Sequence, residues 1–189
     1  MINNLENRKT RHAVFYRPDI DGLRAVSVVA VMLYHAEFQV FSGGFIGVDV
    51  FFVISGYLIT QMVLGDFAKG SFSLSHFYER RVRRILPALL VMLSATVPLA
   101  YVFLSADLLA DYSASLLGAT WFSSNFVFWS EAGYFDRASE FKPLLHTWSL
   151  GVEEQFYLFF PALLWVLYKF KWLVPGLGVA VVISFLMAQ

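Results

Sequence analysis

The sequence predicts an all-α, polytopic transmembrane helix bundle of about five spans plus one interfacial or re-entrant segment. Three observations predict it. The residues are 58% hydrophobic and only 15% charged, against about 45–50% apolar and about 25% charged in an ordinary soluble domain. The apolar excess is gathered into blocks close to the roughly 20 residues that cross a hydrocarbon layer. Lys and Arg collect between those blocks with a one-sided bias.

Taken in order, the first block is Leu23 to Phe41 and the second is Phe45 to Leu64, which contains Asp49. The third, Ile85 to Leu104, holds no charge but carries Pro87 and Pro98. The fourth, Ser149 to Tyr168, contains Glu153 and Glu154, and the fifth runs from Trp172 to Met187. A weaker stretch, Leu108 to Trp129, includes Asp111, Asn125 and several serines, and reads as interfacial or re-entrant. Basic residues cluster at Arg8 to Arg17, at Lys69 to Arg84 and at Lys169 to Lys171. With the weak stretch not crossing, all three clusters fall on one side. This gives five spans, an N-terminus inside and a C-terminus outside. No small-residue cleavage site follows the first block, so that span is expected to stay and act as its own insertion signal.

Net charge is zero, which gives no reason to expect a nucleic-acid partner. The chain has no cysteine, which removes disulfides, thiolate nucleophiles and Cys-type zinc sites. No His or carboxylate spacing matches a metal site, and there is no phosphate loop or nucleophile elbow. Membrane lipids are the one partner that composition implies.

Chemistry is sought where charge enters apolar blocks, because intramembrane ionisable groups are costly to desolvate. Arg24 and His35 are eleven residues apart, about three helical turns, and so share a helix face about 16 Å apart along the axis. Arg24 reads either as a snorkelling anchor or as part of a polar lining. His35 reads either as a boundary residue or as a proton-transfer group, since its ordinary pKa suits that work near neutral pH. Asp49 follows a short link after the first span, so it is expected near the same membrane face as His35, either in interfacial water or orienting a base. Arg80, Arg81, Arg83 and Arg84 stand just before the third span. They serve as a topology signal or as a cytoplasmic clamp for phosphates, which guanidinium groups grip bidentately. Glu153 and Glu154 are about 100° apart on a helix, so at most one points squarely into a polar cavity. His146, seven residues upstream of Glu153, is a second base, a donor or a surface residue.

The stretches YRPDIDGLRAVSVVAVMLYH, GGFIGVDVFFVISGYLIT, FYERRVRRILPALL, NFVFWSEAGYFD and PLLHTWSLGVEEQFYLFFP together resemble the acyltransferase-3 family of integral membrane acyltransferases. That family includes O-acetylases of bacterial surface polysaccharides. The resemblance implies transfer of an acyl group, usually acetyl, from cytosolic acyl-CoA to a hydroxyl of a cell-surface glycan, lipopolysaccharide or lipid-linked saccharide. It implies a multi-pass protein of a bacterial inner membrane. The family's Arg–x10–His pair maps onto Arg24 and His35, and its arginine motif onto Arg80, Arg81, Arg83 and Arg84, expected to hold the acyl-CoA donor. Its His–x–Trp–Ser–Leu–x–x–Glu–x–Gln–Phe–Tyr signature maps onto His146, Trp148, Ser149, Leu150, Glu153, Gln155, Phe156 and Tyr157. The mapping favours Glu153 over Glu154 as the inward carboxylate.

The implied catalytic set is His35, Arg24, Asp49, Glu153 and His146. His35 serves as general base or covalent acyl relay, Arg24 neutralises donor charge, and Asp49 or Glu153 orients the histidine. A polar seam through the first, second and fourth spans, open to the cytosolic thioester, is expected to join them. Family members have roughly ten spans, needing well over ~300 residues. Residues 1–189 are therefore expected to be the N-terminal part of one membrane acyltransferase domain, truncated relative to the family and completed by a C-terminal half. Two rival readings follow from the same residues: a truncated non-catalytic subunit that packs against a partner half, and a proton-coupled transporter whose buried charges line an ion path.

Overall fold

The computed structural model describes residues 17–131 and 141–187. Among the described residues there are seven α-helices: α1 (Pro18–His35), α2 (Ile46–Ala68), α3 (Leu74–Phe103), α4 (Ala106–Thr120), α5 (Ser124–Glu131), α6 (Thr147–Lys169) and α7 (Leu173–Met187), with one 3-10 turn at Gln39–Phe41. The all-helical membrane bundle expected from composition is what the chain forms. Helices α2, α3 and α6 are long and apolar enough to cross a membrane. α1 carries Asp19, Asp21 and Arg24 in its first two turns, which shortens its apolar stretch. α7 has 15 described residues, about 22 Å at 1.5 Å each.

The weak stretch divides into α4 and α5. Their 15 and 8 residues reach about 22 and 12 Å, and neither alone crosses a hydrocarbon layer of about 30 Å. The third span differs more from expectation. α3 begins at Leu74, eleven residues before Ile85, so the arginine cluster is helical rather than part of a preceding loop. The Ser73 hydroxyl caps it by accepting from the His76 amide at 3.4 Å. Pro87 and Pro98 lie within it without ending it.

Four helices end with one device. The amides of Phe38, Ser71, Ser123 and Trp172 donate to the carbonyls of Leu33, Asp66, Gly118 and Leu167 at 3.1, 3.0, 2.7 and 2.9 Å. Each closes a turn around a residue in the left-handed region: Glu37 at φ 59°, Gly70 at 64°, Phe122 at 53° and Lys171 at 57°. This is the six-to-one cap that normally recruits glycine. Three of the four ends pay the side-chain strain. Glu37→Gly is therefore expected to stabilise the protein by about 0.5–1 kcal/mol, relief of left-handed strain outweighing glycine's added chain entropy. A rise in the thermal unfolding midpoint in detergent checks it.

Contacts divide the chain into two compact units, the boundary falling between Leu58 and Ile59 inside α2. In the first unit α1 and the start of α2 form an antiparallel hairpin with a close seam. A Cβ built on Gly47 would lie 2.5 Å from the Ser27 carbonyl oxygen, and one on Gly44 would collide with the Ala30 carbonyl. Just before α1, Arg17 grips Asp19 at 2.7 Å and holds that carboxyl down at about 2. The same guanidinium donates to the Tyr57 hydroxyl at 3.4 Å.

The second unit has two apolar clusters. Ile59, Val63 and Phe67 of α2 meet Phe77 of α3 and Tyr157 and Leu164 of α6. Leu89, Leu93 and Ala100 of α3 meet Tyr112 and Ala119 of α4 and Leu144, with Leu150 packed against them. The early part of α3 thus meets the middle of α6, and its later part meets the residues around the start of α6. The two helices run antiparallel. Large apolar residues elsewhere on the helices, among them Val91, Phe159, Val181 and Phe185, are exposed, as expected of surface that faces lipid.

Candidate functional site

The register of the first hairpin decides where its charges lie. Gly44 faces Ala30 and Gly47 faces Ser27. The Arg24 guanidinium stands 5.0 Å from the Phe51 ring centroid, and Arg17 reaches Tyr57. Each pair sums to about the same number, so the pairing is continuous. Arg24 is held in the seam by the Phe51 face and by Asp21, 4.0 Å away. His35 is the last residue of α1 and is exposed, its ring meeting Tyr34 edge-on at 5.3 Å. The helical spacing of Arg24 and His35 is as expected, so the two lie about 16 Å apart rather than in one cluster.

Asp49 is not where the short link suggested. By the register it lies level with Ala25, about 15 Å along the axis from His35. It also sits about 200° around α2 from both Gly47 and Phe51, the face turned to α1, and it is exposed. Residues 36–45 carry the chain past the end of α1 and back down its side before α2 begins. Sequence separation therefore misjudged the depth. Asp49 does not orient His35 in this hairpin.

In the second unit the arginines separate. On a helix, Arg80, Arg83 and Arg84 share an arc of about 100°, with Arg81 about 60° beyond it. Arg80 approaches Asp66 at 3.9 Å, Arg83 pairs with Glu79 at 2.9 Å, and Arg84 is exposed. These exposed groups leave donors available to an anion, because surface pairs of this kind hold each other weakly. Arg81 turns inward. Its guanidinium lies 3.4 Å from the Tyr157 ring centroid and 5.8 Å from that of Phe77, a close cation–π contact.

The signature segment forms the start of α6. His146 precedes its first turn and is exposed, its carbonyl accepting from the Ser149 hydroxyl at 3.1 Å. The Tyr157 hydroxyl donates to Glu153 one turn back, so Glu153, Tyr157 and Arg81 form one chain of contacts. Glu154 buries its Oε1 with no hydrogen-bond partner among the described residues. The structure therefore gathers Arg81 with Glu153 through the Tyr157 ring, and places His146 just before the helix start.

Two residues to which sequence reasoning gave no packing role hold this end of α6 in place. The Gln155 amide donates to the Phe122 carbonyl at 2.8 Å and to Asn125 Oδ1 at 2.9 Å, while Asn125 Nδ2 donates back to Gln155 Oε1 at 3.3 Å. Beside them the Ser124 hydroxyl donates to the Thr147 carbonyl at 2.8 Å. Close approach requires Gly151, where a Cβ would lie 3.0 Å from Asn125 Oδ1 and 3.2 Å from the Phe122 carbonyl. The polar residues of the weak stretch thus serve α5–α6 docking. Their spacing gave no sign of a partner thirty residues away.

Residues 17–187 match the family model described as an acyltransferase domain. The chain belongs to the acyltransferase-3 family. It is 44% identical over 164 residues to the peptidoglycan O-acetyltransferase OatA of Listeria monocytogenes, covering 86% of this chain and 26% of that protein. It is 43% identical over 151 residues to the putative O-acetyltransferase SAS0844 of Staphylococcus aureus, covering 79% of this chain and 25% of the relative. For the O-acetyltransferase OatA of another S. aureus strain the identity is 38% over 159 residues, 82% of this chain and 26% of that protein. The chain thus spans about a quarter of the length of these curated relatives. No solved structure matches it significantly.

Proposed function

We propose that this chain is the N-terminal part of a membrane O-acyltransferase that moves acetyl from acetyl-CoA to a hydroxyl of a cell-surface glycan. The observation that carries the reading is identity of 38–44% to O-acetyltransferases across most of the chain. The name of the Listeria relative points to peptidoglycan rather than lipopolysaccharide as the acceptor class.

In this reading the exposed arc of Arg80, Arg83 and Arg84 meets the CoA phosphates, and that end of α3 faces the cytosol of a bacterial inner membrane. His35 takes the proton of the attacking hydroxyl. The new carbon–oxygen bond forms as the thioester carbon–sulfur bond breaks, and the thiolate leaves to be protonated. A two-step path, with the acetyl group held briefly on the imidazole, uses the same residue. Arg24, steadied by Phe51 and Asp21, contributes positive charge along the hairpin.

Membranes containing the protein, given acetyl-labelled CoA, are expected to move the label onto glycan, whereas a transporter would leave the thioester intact. Glutamine at Arg80, Arg83 and Arg84 together is expected to raise the KM for acetyl-CoA about tenfold or more, the loss of several charge-assisted contacts, with a smaller effect on kcat. An unchanged KM removes the arginine arc from donor binding.

A further inference from the structure

Glu153 and Glu154 are neighbours on α6, and the family signature singles out Glu153. The structure divides their work the other way. Glu153 already accepts a hydrogen bond from Tyr157, and the Tyr157 ring is covered by Arg81. That ring is also part of the apolar cluster with Phe77 and Leu164, so the phenol, and with it the carboxylate it holds, is fixed by packing on both sides. Glu154 Oε1 is buried without a hydrogen-bond partner among the described residues, and the charges acting on it are those of Arg81 and Glu153. Other described polar side chains of this region are paired elsewhere. Gln155 and Asn125 satisfy each other, and the Tyr78 hydroxyl donates to the Leu158 carbonyl at 2.6 Å.

A buried acceptor without a donor costs about 1–3 kcal/mol, more when charged, and such groups in native proteins call for an explanation. We propose that Glu154 is the substrate-facing carboxylate of this helix, accepting a hydrogen bond from a bound hydroxyl, and that Arg81, Tyr157 and Glu153 are positioning residues that fix this stretch of α6 by their contacts with one another. Identifying that hydroxyl with the glycan acceptor rests on the O-acyltransferase reading. The assignment of the unpartnered carboxylate does not.

The test begins without any substitution. Dicyclohexylcarbodiimide, a lipophilic reagent for carboxyl groups in apolar surroundings, is applied to membranes containing the protein, and the stable acylurea is located by peptide mass spectrometry. The adduct is expected on Glu154 and not on Glu153. Tyr157→Phe, which removes the phenol's hydrogen bond to Glu153, is expected to raise labelling of Glu153 relative to Glu154. Labelling of Glu153 alone in the unaltered protein, or of neither glutamate, overturns the proposal. In the acetylation assay, Glu154→Ala is expected to raise the acceptor KM about tenfold and leave the KM for acetyl-CoA within about twofold. An unchanged acceptor KM counts against it. If unaltered membranes transfer no acetyl at all, the enzyme reading fails, and the labelling pattern still decides which carboxylate is unpartnered.

Discussion

Replacing His35 by alanine is expected to lower acetyl transfer to glycan by at least ~100-fold, because a positioned base typically contributes about 10²–10⁴-fold. The loss should fall on kcat, with the KM for acetyl-CoA little changed, since the arginines proposed to meet the CoA phosphates lie on α3 and not on α1. His35 ends α1 in an exposed position, and no core packing depends on it, so His35→Ala should leave the thermal midpoint in detergent nearly where it was. A stability-neutral loss of turnover would separate a chemical role from a structural one. Near-normal acetylation by this variant, measured with labelled acetyl-CoA on membranes, takes His35 out of the mechanism.

The second large effect is expected at Gly47. The atom that a Cβ would strike there is the Ser27 carbonyl oxygen, 2.5 Å away, with a Val31 methyl at 2.9 Å. A backbone oxygen cannot rotate aside. Gly47→Ala must push the hairpin apart and is expected to cost about 1–3 kcal/mol, the usual range for overpacking. Arg24 sits in the same seam, so its cation–π contact with Phe51 should loosen too. Gly65 on the same helix has nothing within 4 Å of an added Cβ. Gly65→Ala is expected to change stability in the opposite direction, by about 0.5–1 kcal/mol, since alanine is the better helix former. Unfolding midpoints of the two variants side by side check the pair. Equal and small effects at both sites would mean that the seam is looser than described.

The helices themselves were legible in the residues. Apolar blocks near span length and a broken polar stretch between Leu108 and Trp129 are local features, and local features survive folding; the eleven residues by which α3 extends before Ile85 were not read from them. The family resemblance was legible too, because its signatures are short runs of consecutive residues. What periodicity can state about two neighbouring residues is only that they point about 100° apart. It therefore left open which of Glu153 and Glu154 is held and which of Arg80 to Arg84 turns inward. That choice depends on the Tyr157 ring arriving from another helix, a contact seventy-six residues away from Arg81 in the chain.

Depth was the other quantity beyond the sequence. A link of ten residues between α1 and α2 looks short, yet its path sets the register of the hairpin, and only the packing of Gly44 on Ala30 and Gly47 on Ser27 shows that Asp49 comes to rest level with Ala25. The amino-acid order by itself determined the membrane class, the apolar blocks and the kinship. Tertiary structure alone decided the partners of the buried charges, because a charge takes whatever neighbour removes its desolvation cost, and that neighbour is chosen by packing between helices rather than by distance along the chain.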